Sequence, residues 1–507
     1  MRTPLGFWII PALLLTYSAG RAQPEPSPLL KRTWFEARTT HFAMFSCAPT
    51  QQVARVGARL EQFREAYSSL AGAQSVASQP IVVMVFPDHT SMEPFLPVYQ
   101  GKAANLAAFF HRDSDENLIA LYVNGVSSGS LENVFHEYTH LLLRHNALFW
   151  PLWLNEGMAD IYATFEPGPD RTARIGAPHP IYLRMLARRP LIPLSELFAV
   201  DHQSPEYNEK DRQGIFYAES WLLTHYLMLG DNAQNKARFG LLTTFLKQGQ
   251  SPTQAFTNAF RVTLVQMENQ LRGYLQRGHF EPLKLAVNSD LSAPRAFGTS
   301  PLPTVSVCFR LGDMLMRVNR REAASEYFEL GKKIAPKSPL PYEGLGLLAS
   351  EKKQAVDAVS ELQQALNLGS TSFLAHYTLA REKYRLTAKS PDTYTPVGRE
   401  LSAEIRGDLE KAIQLMPGFA PAHHMLGFFL MVQGESLPEA EKQIQIAMQL
   451  EPDNPGYAFS LAQAQLRRDN PSAALKTLEP LRLSYVDAQI RQHADEMIKQ
   501  IEKEKKR

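Results

Sequence analysis

From position 311 onward the chain repeats itself. A Leu-Gly or Leu-Ala pair stands at Leu311–Gly312, Leu345–Gly346, Leu379–Ala380, Leu426–Gly427 and Leu461–Ala462. The first two steps are 34 residues each, the third is 47 and the last is 35. Thirteen positions after the leucine of the first, second and fifth pairs come Ala324, Ala358 and Ala474, followed four residues later by Phe328, Leu362 and Leu478. Pro336 closes the first unit, Ala412 with Pro417 the third, and Ala447 with Pro452 the fourth. A small residue where two helices cross lets their axes approach, and a proline at the end of a unit stops a helix and turns the chain. A period of this length, kept over five units, calls for stacked helix pairs that bury a continuous core between neighbours.

The pattern resembles the tetratricopeptide repeat, and the resemblance covers about residues 305–482. It implies an all-α solenoid whose surface binds a protein partner or presents a polypeptide. TAKSPDTYTPVGRE, rich in turn formers, reads as a loop between the two helices of the stretched third unit. Residues 483–507, ending EMIKQIEKEKKR, read as a polar capping helix, which a solenoid end requires.

A chain of 507 residues is too long for one core. Residues 286–304, AVNSDLSAPRAFGTSPLPT, break the helical pattern with Pro, Ser and Gly and are expected to be a linker. Residues 23–285 then form a domain of their own. Within it, TTHFAMFS, QPIVVMVFP and NLIALYVNG read as strands, and TQQVARVGARLEQFREAYSSLAG as a helix. The first 125 residues are therefore expected to be α+β and the next 150 mainly helical. At the N-terminus, Arg2, the apolar run LGFWIIPALLL and the small residues Gly20 and Ala22 predict a signal peptide over 1–22, hence a periplasmic or secreted protein. No later segment reads as membrane-spanning. The formal net charge of +2, from 53 basic and 51 acidic side chains, makes no electrostatic case for nucleic acid. Cys47 and Cys308 are too few and too far apart for a disulfide framework.

The chemistry concentrates in NVFHEYTHLLLRHN, residues 133–146. Ser130, with Glu132 and Asn133 in the first turn, reads as the start of a helix. His136 and His140 then project from one face and can offer two imidazoles to one metal ion. Glu137, rotated by about 100°, can reach water beside that ion without ligating it. Sixteen residues after His140, in PLWLNEGMADIYATF, stands Glu156, which with Asp160 again shares a helical face among apolar neighbours, where unpaired acids are costly. Glu156 is the candidate third ligand, giving a His₂Glu set for one Zn²⁺. Asp160 is positioned to hold the other ring nitrogen of a ligand histidine.

HEYTH followed by WLNEGMADIYA resembles the gluzincin metallopeptidases, including thermolysin and the M1-type aminopeptidases. The W-L-N-E-G-x-A-D form with repeats behind it is most similar to exported bacterial peptidase-MA-like proteins. The resemblance spans about residues 33–280, with its specific part at 136–160. It implies an α+β, thermolysin-like catalytic domain that hydrolyses a peptide or protein substrate. It also implies His136, His140 and Glu156 as ligands, Glu137 as general base and acid, and Asp160 as the orienter of His136. Gluzincins stabilise the oxyanion with a Tyr or His, and Tyr217, 61 residues after Glu156, stands where that resemblance expects it. His225 and Tyr226 lie on the same expected helix, and His202 and Tyr207 in the loop before it. The Gly-x-Met-Glu-Asn-type element of the M1 enzymes is absent upstream of His136. Aminopeptidase specificity is therefore not implied, and endopeptidase or oligopeptidase action is equally open. The competing expectations are an inactive tetratricopeptide scaffold with a vestigial protease domain, and hydrolysis of a non-peptide amide at the same site. His145 is expected only to end the helix.

Overall fold

The computed structural model describes residues 28–71, 81–99, 102–104, 106–124, 131–143, 150–208, 210–230, 233–287, 298–388, 395–483 and 486–505. The expected signal peptide, Ser130 and His145 lie outside them. The chain divides into two compact units. One holds Phe35–Pro301 and Leu409–Arg507, the other Met1–Trp34 and Leu302–Asp408.

The first unit begins with β1 (Phe35–Arg38), β2 (Phe42–Ser46), α1 (Thr50–Ala71) and β3 (Ile81–Phe86). A short α2 (His89–Met92) and the hairpin β4 (Val98–Tyr99) and β5 (Lys102–Ala103) lead to β6 (Ala108–His111) and β7 (Asn117–Tyr122). Next come α3 (Glu132–Leu143), α4 (Leu152–Ala163), β8 (Glu166–Gly168) and β9 (Thr172–Ile175). Then α5 (Pro180–Leu186), α6 (Leu194–Leu197), α7 (Pro205–Asn208), α8 (Lys210–Leu229), α9 (Ala233–Lys247), α10 (Pro252–Phe260) and α11 (Leu264–Arg277) precede β10 (Leu283–Ala286) and β11 (Thr299–Pro301).

The main sheet has the order β11-β1-β2-β3-β7-β6, with β2, β3 and β7 parallel and the outer pairings antiparallel. Strand β10 belongs instead to a smaller sheet with β9 and β8. Every residue of β3, IVVMVF, is buried, as befits a central parallel strand covered on both faces. Helix α1 returns the chain from β2 to β3 and presents Leu60, Phe63 and Tyr67 to the core. Phe63 stacks on Phe135 of α3 with ring centroids 4.4 Å apart, and Arg64 donates to the Tyr138 hydroxyl at 2.8 Å. Phe135, Tyr138 and Leu142 thus turn one face of α3 into the core, which leaves the histidine face open. The 286–304 segment is not a plain linker: Thr299–Pro301 form the edge strand β11, which pairs with β1 from Ala37 to Phe35. An extended run that includes a proline suits an edge, where one row of N–H groups has no partner strand to serve.

The five helix pairs expected from the 34-residue period are all present. They are α12 (Thr304–Arg317) with α13 (Arg321–Ile334), α14 (Pro339–Glu351) with α15 (Ala355–Asn367), and α16 (Phe373–Arg385) with α17 (Arg399–Leu415). They continue with α18 (Ala420–Gln433) and α19 (Leu437–Leu450), then α20 (Pro455–Arg467) and α21 (Pro471–Leu478), closed by α22 (Ala488–Lys505). The repeated Gly marks the crossing point within a pair. A Cβ on Gly312 would come within 2.5 Å of the Phe328 ring, one on Gly346 within 2.5 Å of Leu362, and one on Gly427 within 2.6 Å of Ile444. Ala324, Ala358, Ala412, Ala447 and Ala474 are fully buried on the opposing helices. Gly312→Val, which forces the α12–α13 crossing apart, is expected to destabilise the repeats by about 1–3 kcal/mol. Circular-dichroism melting would show this as a lowered first transition.

Candidate metal centre

Helix α3 supplies the first two donors because four residues make just over one turn. His140 Nε2 lies 3.1 Å from His136 Nε2. The third donor comes from α4, which is buried along nearly all its length, polar residues included. Glu156 Oε2 lies 3.2 Å from His136 Nε2 and 3.4 Å from His140 Nε2. At those angles Glu156 Oε2 makes no hydrogen bond among the described residues, although it is buried. Among the described residues, His136, His140 and Glu156 form a group that brings one ligand atom each within 4.8 Å of the others.

The ring of His136 is set from behind. Its Nδ1 lies 2.9 Å from Asp160 Oδ1, which turns Nε2 towards Glu156 and His140. Three possible ligand atoms thus converge in a site where each side chain is at least three-quarters buried. Such an array calls for positive charge, whether a proton on an imidazole or a metal ion. Tetrahedral donors about 2.0–2.1 Å from one zinc ion stand roughly 3.3–3.4 Å apart. The observed separations match that requirement, and the donor set fits Zn²⁺. Charge balance tells the same story. Burial opposes protonation of His136, but the bond to Asp160 and the charges of Asp160 and Glu156 hold its pKa well above the ordinary value. Burial also opposes ionisation of Glu156, yet the adjacent imidazoles keep its carboxyl far below the usual carboxylate range. The cluster therefore favours having positive charge at its centre.

Glu137 is exposed on the next position of α3, at the open side of the cluster. Its charge reaches Tyr207 and Tyr217. Tyr217 sits on α8 with its ring 6.4 Å from that of His136 and stacked at 6.1 Å on Tyr207. The Tyr207 hydroxyl points to Glu156 Oε1 at 3.5 Å. Helix α8 comes this near because Gly157 follows Glu156. A Cβ there would meet Thr224 Oγ1 at 2.1 Å and Ser220 O at 2.4 Å. Pattern reading missed Tyr182, whose hydroxyl faces Asp160, and His179, whose Nε2 is 3.5 Å from the Asp160 carbonyl. Both lie on or beside α5, which carries no motif.

His225 and Tyr226 are turned elsewhere. His225 is fully buried, with Nε2 3.0 Å from the Gly176 carbonyl and Nδ1 2.8 Å from the Tyr274 hydroxyl. Burial lowers its pKa to about 4, so it is a neutral, satisfied core histidine. Tyr226 bonds Gln270 at 3.1 Å. Cys47 and Cys308 are both free.

No family model matches the chain, and no curated protein matches it. Among solved structures it is similar to YrrB, a TPR protein with an unusual peptide-binding site, at 19% identity over 37% of this chain and 90% of that one, TM-score 0.31. It is also similar to TTC0263, a thermophilic TPR protein of Thermus thermophilus, at 22% identity over 38% and 97%, TM-score 0.29. A third is pilF of Pseudomonas aeruginosa, at 16% identity over 39% and 91%, TM-score 0.30. Likeness at this level carries no argument of its own. The helical-repeat assignment rests on the five helix pairs, and the comparisons do not bear on the metal cluster.

Helix α8 also buries Glu219, whose Oε2 accepts from the Ile192 N–H at 2.6 Å while Oε1 has no partner among the described residues. Burial raises its pKa to about 8. The folded state therefore binds a proton that the unfolded chain has released between pH about 4.5 and 8, and stability falls as pH rises through that window. Glu219→Gln keeps the acceptor and removes the titration. It should match wild type near pH 5 and exceed it near pH 8 by as much as about 4 kcal/mol, read from urea melts at the two pH values.

Proposed function

We propose that the chain is an exported zinc-dependent peptidase whose helical repeats engage a protein partner or the substrate polypeptide. The observation that carries this reading is the set of three donors 3.1–3.4 Å apart, with Glu156 Oε2 buried and unbonded among them. His136, His140 and Glu156 would hold one Zn²⁺, and zinc in such a set supplies Lewis acidity that brings water to a pKa of about 7.

Each remaining role falls to a residue of this chain. Glu137, exposed beside the donors, takes a proton from attacking water and returns it to the leaving amine. Asp160 keeps the Nδ1–H of His136 engaged and its Nε2 free. Tyr217, steadied by Tyr207 stacked on it, presents its hydroxyl to the oxyanion that forms at the substrate carbonyl. Among the described residues strand β6 ends the main sheet beside α3, which offers an extended peptide an edge to pair with near the cluster. That edge favours peptide over a small amide. Export is proposed on residues 1–22, and no helix among the described residues is long and apolar enough to cross a membrane.

A second reading has the five helix pairs in its favour: the chain is an interaction scaffold and the histidine cluster is catalytically silent. Metal analysis and peptide cleavage separate the two. The peptidase reading expects about one zinc per chain in wild type and in Glu137→Gln, and little in His140→Ala. It also expects Glu137→Gln to cut a mixed peptide library at least ~10²-fold more slowly, a loss of that size being usual for a general base. Wild type with zinc that cuts nothing would support the scaffold.

A further inference from the structure

Beside the metal-ligand cluster, in the same compact unit, lies a shallow recess. Its walls include Trp150 and Leu152 at the start of α4, Phe198 after α6, Asp201 and His202, and Asp487 just before α22. Asn155, the neighbour of Glu156, is part of the same lining. The His202 ring is 5.4 Å from that of Tyr207, whose hydroxyl reaches Glu156. The recess therefore opens next to where the scissile bond would sit.

Its chemistry is one-sided. Leu152 and Phe198 are buried, and Phe198 is held by stacking on Trp153 at 5.1 Å. Among the described residues the lining has two carboxylates and no lysine or arginine. Each carboxylate is fixed by neutral donors. Asp201 Oδ1 accepts from the Gln203 N–H at 3.0 Å and the Ser204 hydroxyl at 2.9 Å. Asp487 Oδ1 accepts from the Gln489 N–H at 2.8 Å and the Ile490 N–H at 3.3 Å, and its Oδ2 from Gln203 Nε2 at 3.0 Å. Rigid negative charge over an aromatic wall suits a long alkyl chain ending in a cation.

We propose that this recess is a specificity subsite for a lysine or arginine side chain of the bound polypeptide, with Asp201 and Asp487 supplying the charge and Trp150 and Phe198 the apolar walls. The proposal rests on the peptidase reading for the direction in which the polypeptide runs, but binding alone can test it. Asp487 makes the segment that follows the repeats part of the substrate cleft.

The test uses the full chain, zinc-loaded and carrying Glu137→Gln so that nothing is consumed. Two mixtures of fluorescein-labelled hexapeptide amides, randomised over uncharged residues, are titrated by polarisation, one with Lys fixed at the third position and one with Gln. The Lys mixture is expected to bind about tenfold more tightly, the size of one charge-assisted contact. Asp487→Asn and Asp201→Asn together should remove that difference and leave the Gln mixture unchanged. Asparagine keeps both the helix cap and the turn, so folding is preserved. Equal binding of the two mixtures, no binding of either, or a Lys preference that survives both substitutions overturns the subsite. Wild type that fails to cut peptides the Glu137→Gln chain binds overturns the peptidase reading and leaves the subsite standing.

Discussion

The centre of the first unit is organised around a buried carboxylate. Glu156 lies on a helix buried on nearly every side, and taking an ionised carboxylate into such surroundings costs several kcal/mol unless positive charge answers it. Here the answer is geometric. Two imidazole nitrogens are held at 3.2 and 3.4 Å, one of them locked by Asp160 from the same buried helix. The neighbouring elements serve that arrangement. Gly157 lets α8 close over α4, and α1 with the sheet anchors the apolar face of α3, so both histidines are fixed from behind.

Helix α3 divides its labour by angle. Phe135, Tyr138 and Leu142 anchor it, His136 and His140 face the donors, and Glu137 looks out from between those two stripes. An exposed carboxylate can exchange protons with solvent, whereas the two imidazoles keep their spacing only if the helix behind them is fixed. Rigidity behind and access in front are therefore properties of one twelve-residue element. The same separation runs through α8. Tyr217 faces the cluster, while His225 is tied to Gly176 and Tyr274 in the core.

What could be read in advance was what repeats over short distances. The Leu-Gly or Leu-Ala period located all five helix pairs, because a small residue at each crossing is a local requirement of close packing. The donor set was legible because each half is an i, i+4 pair on one helix, and a short connection joins the halves. Tyr182 and His179 were not, since their role depends on where α5 returns to Asp160. His225 resembled a site residue until the Gly176 carbonyl, 49 positions away, was seen to satisfy it. The strand β11 escaped for a similar reason: its partner β1 is more than 260 residues earlier, and Thr-Ser-Pro has no strand signature of its own.

Solenoid repeats normally contact only their neighbours, so the last helix needs a solvated outer face. Helix α22 departs from that rule at its first turn. Asp487 caps the helix and also takes a hydrogen bond from Gln203, while Leu483 packs at 3.5 Å from where a Cβ on Gly249 would stand. Asp453, between α19 and α20, forms an ion pair with Arg112 at 2.9 Å. These contacts commit polar groups of the last repeats to the sheet-containing domain, which is why residues 409–507 belong to its compact unit.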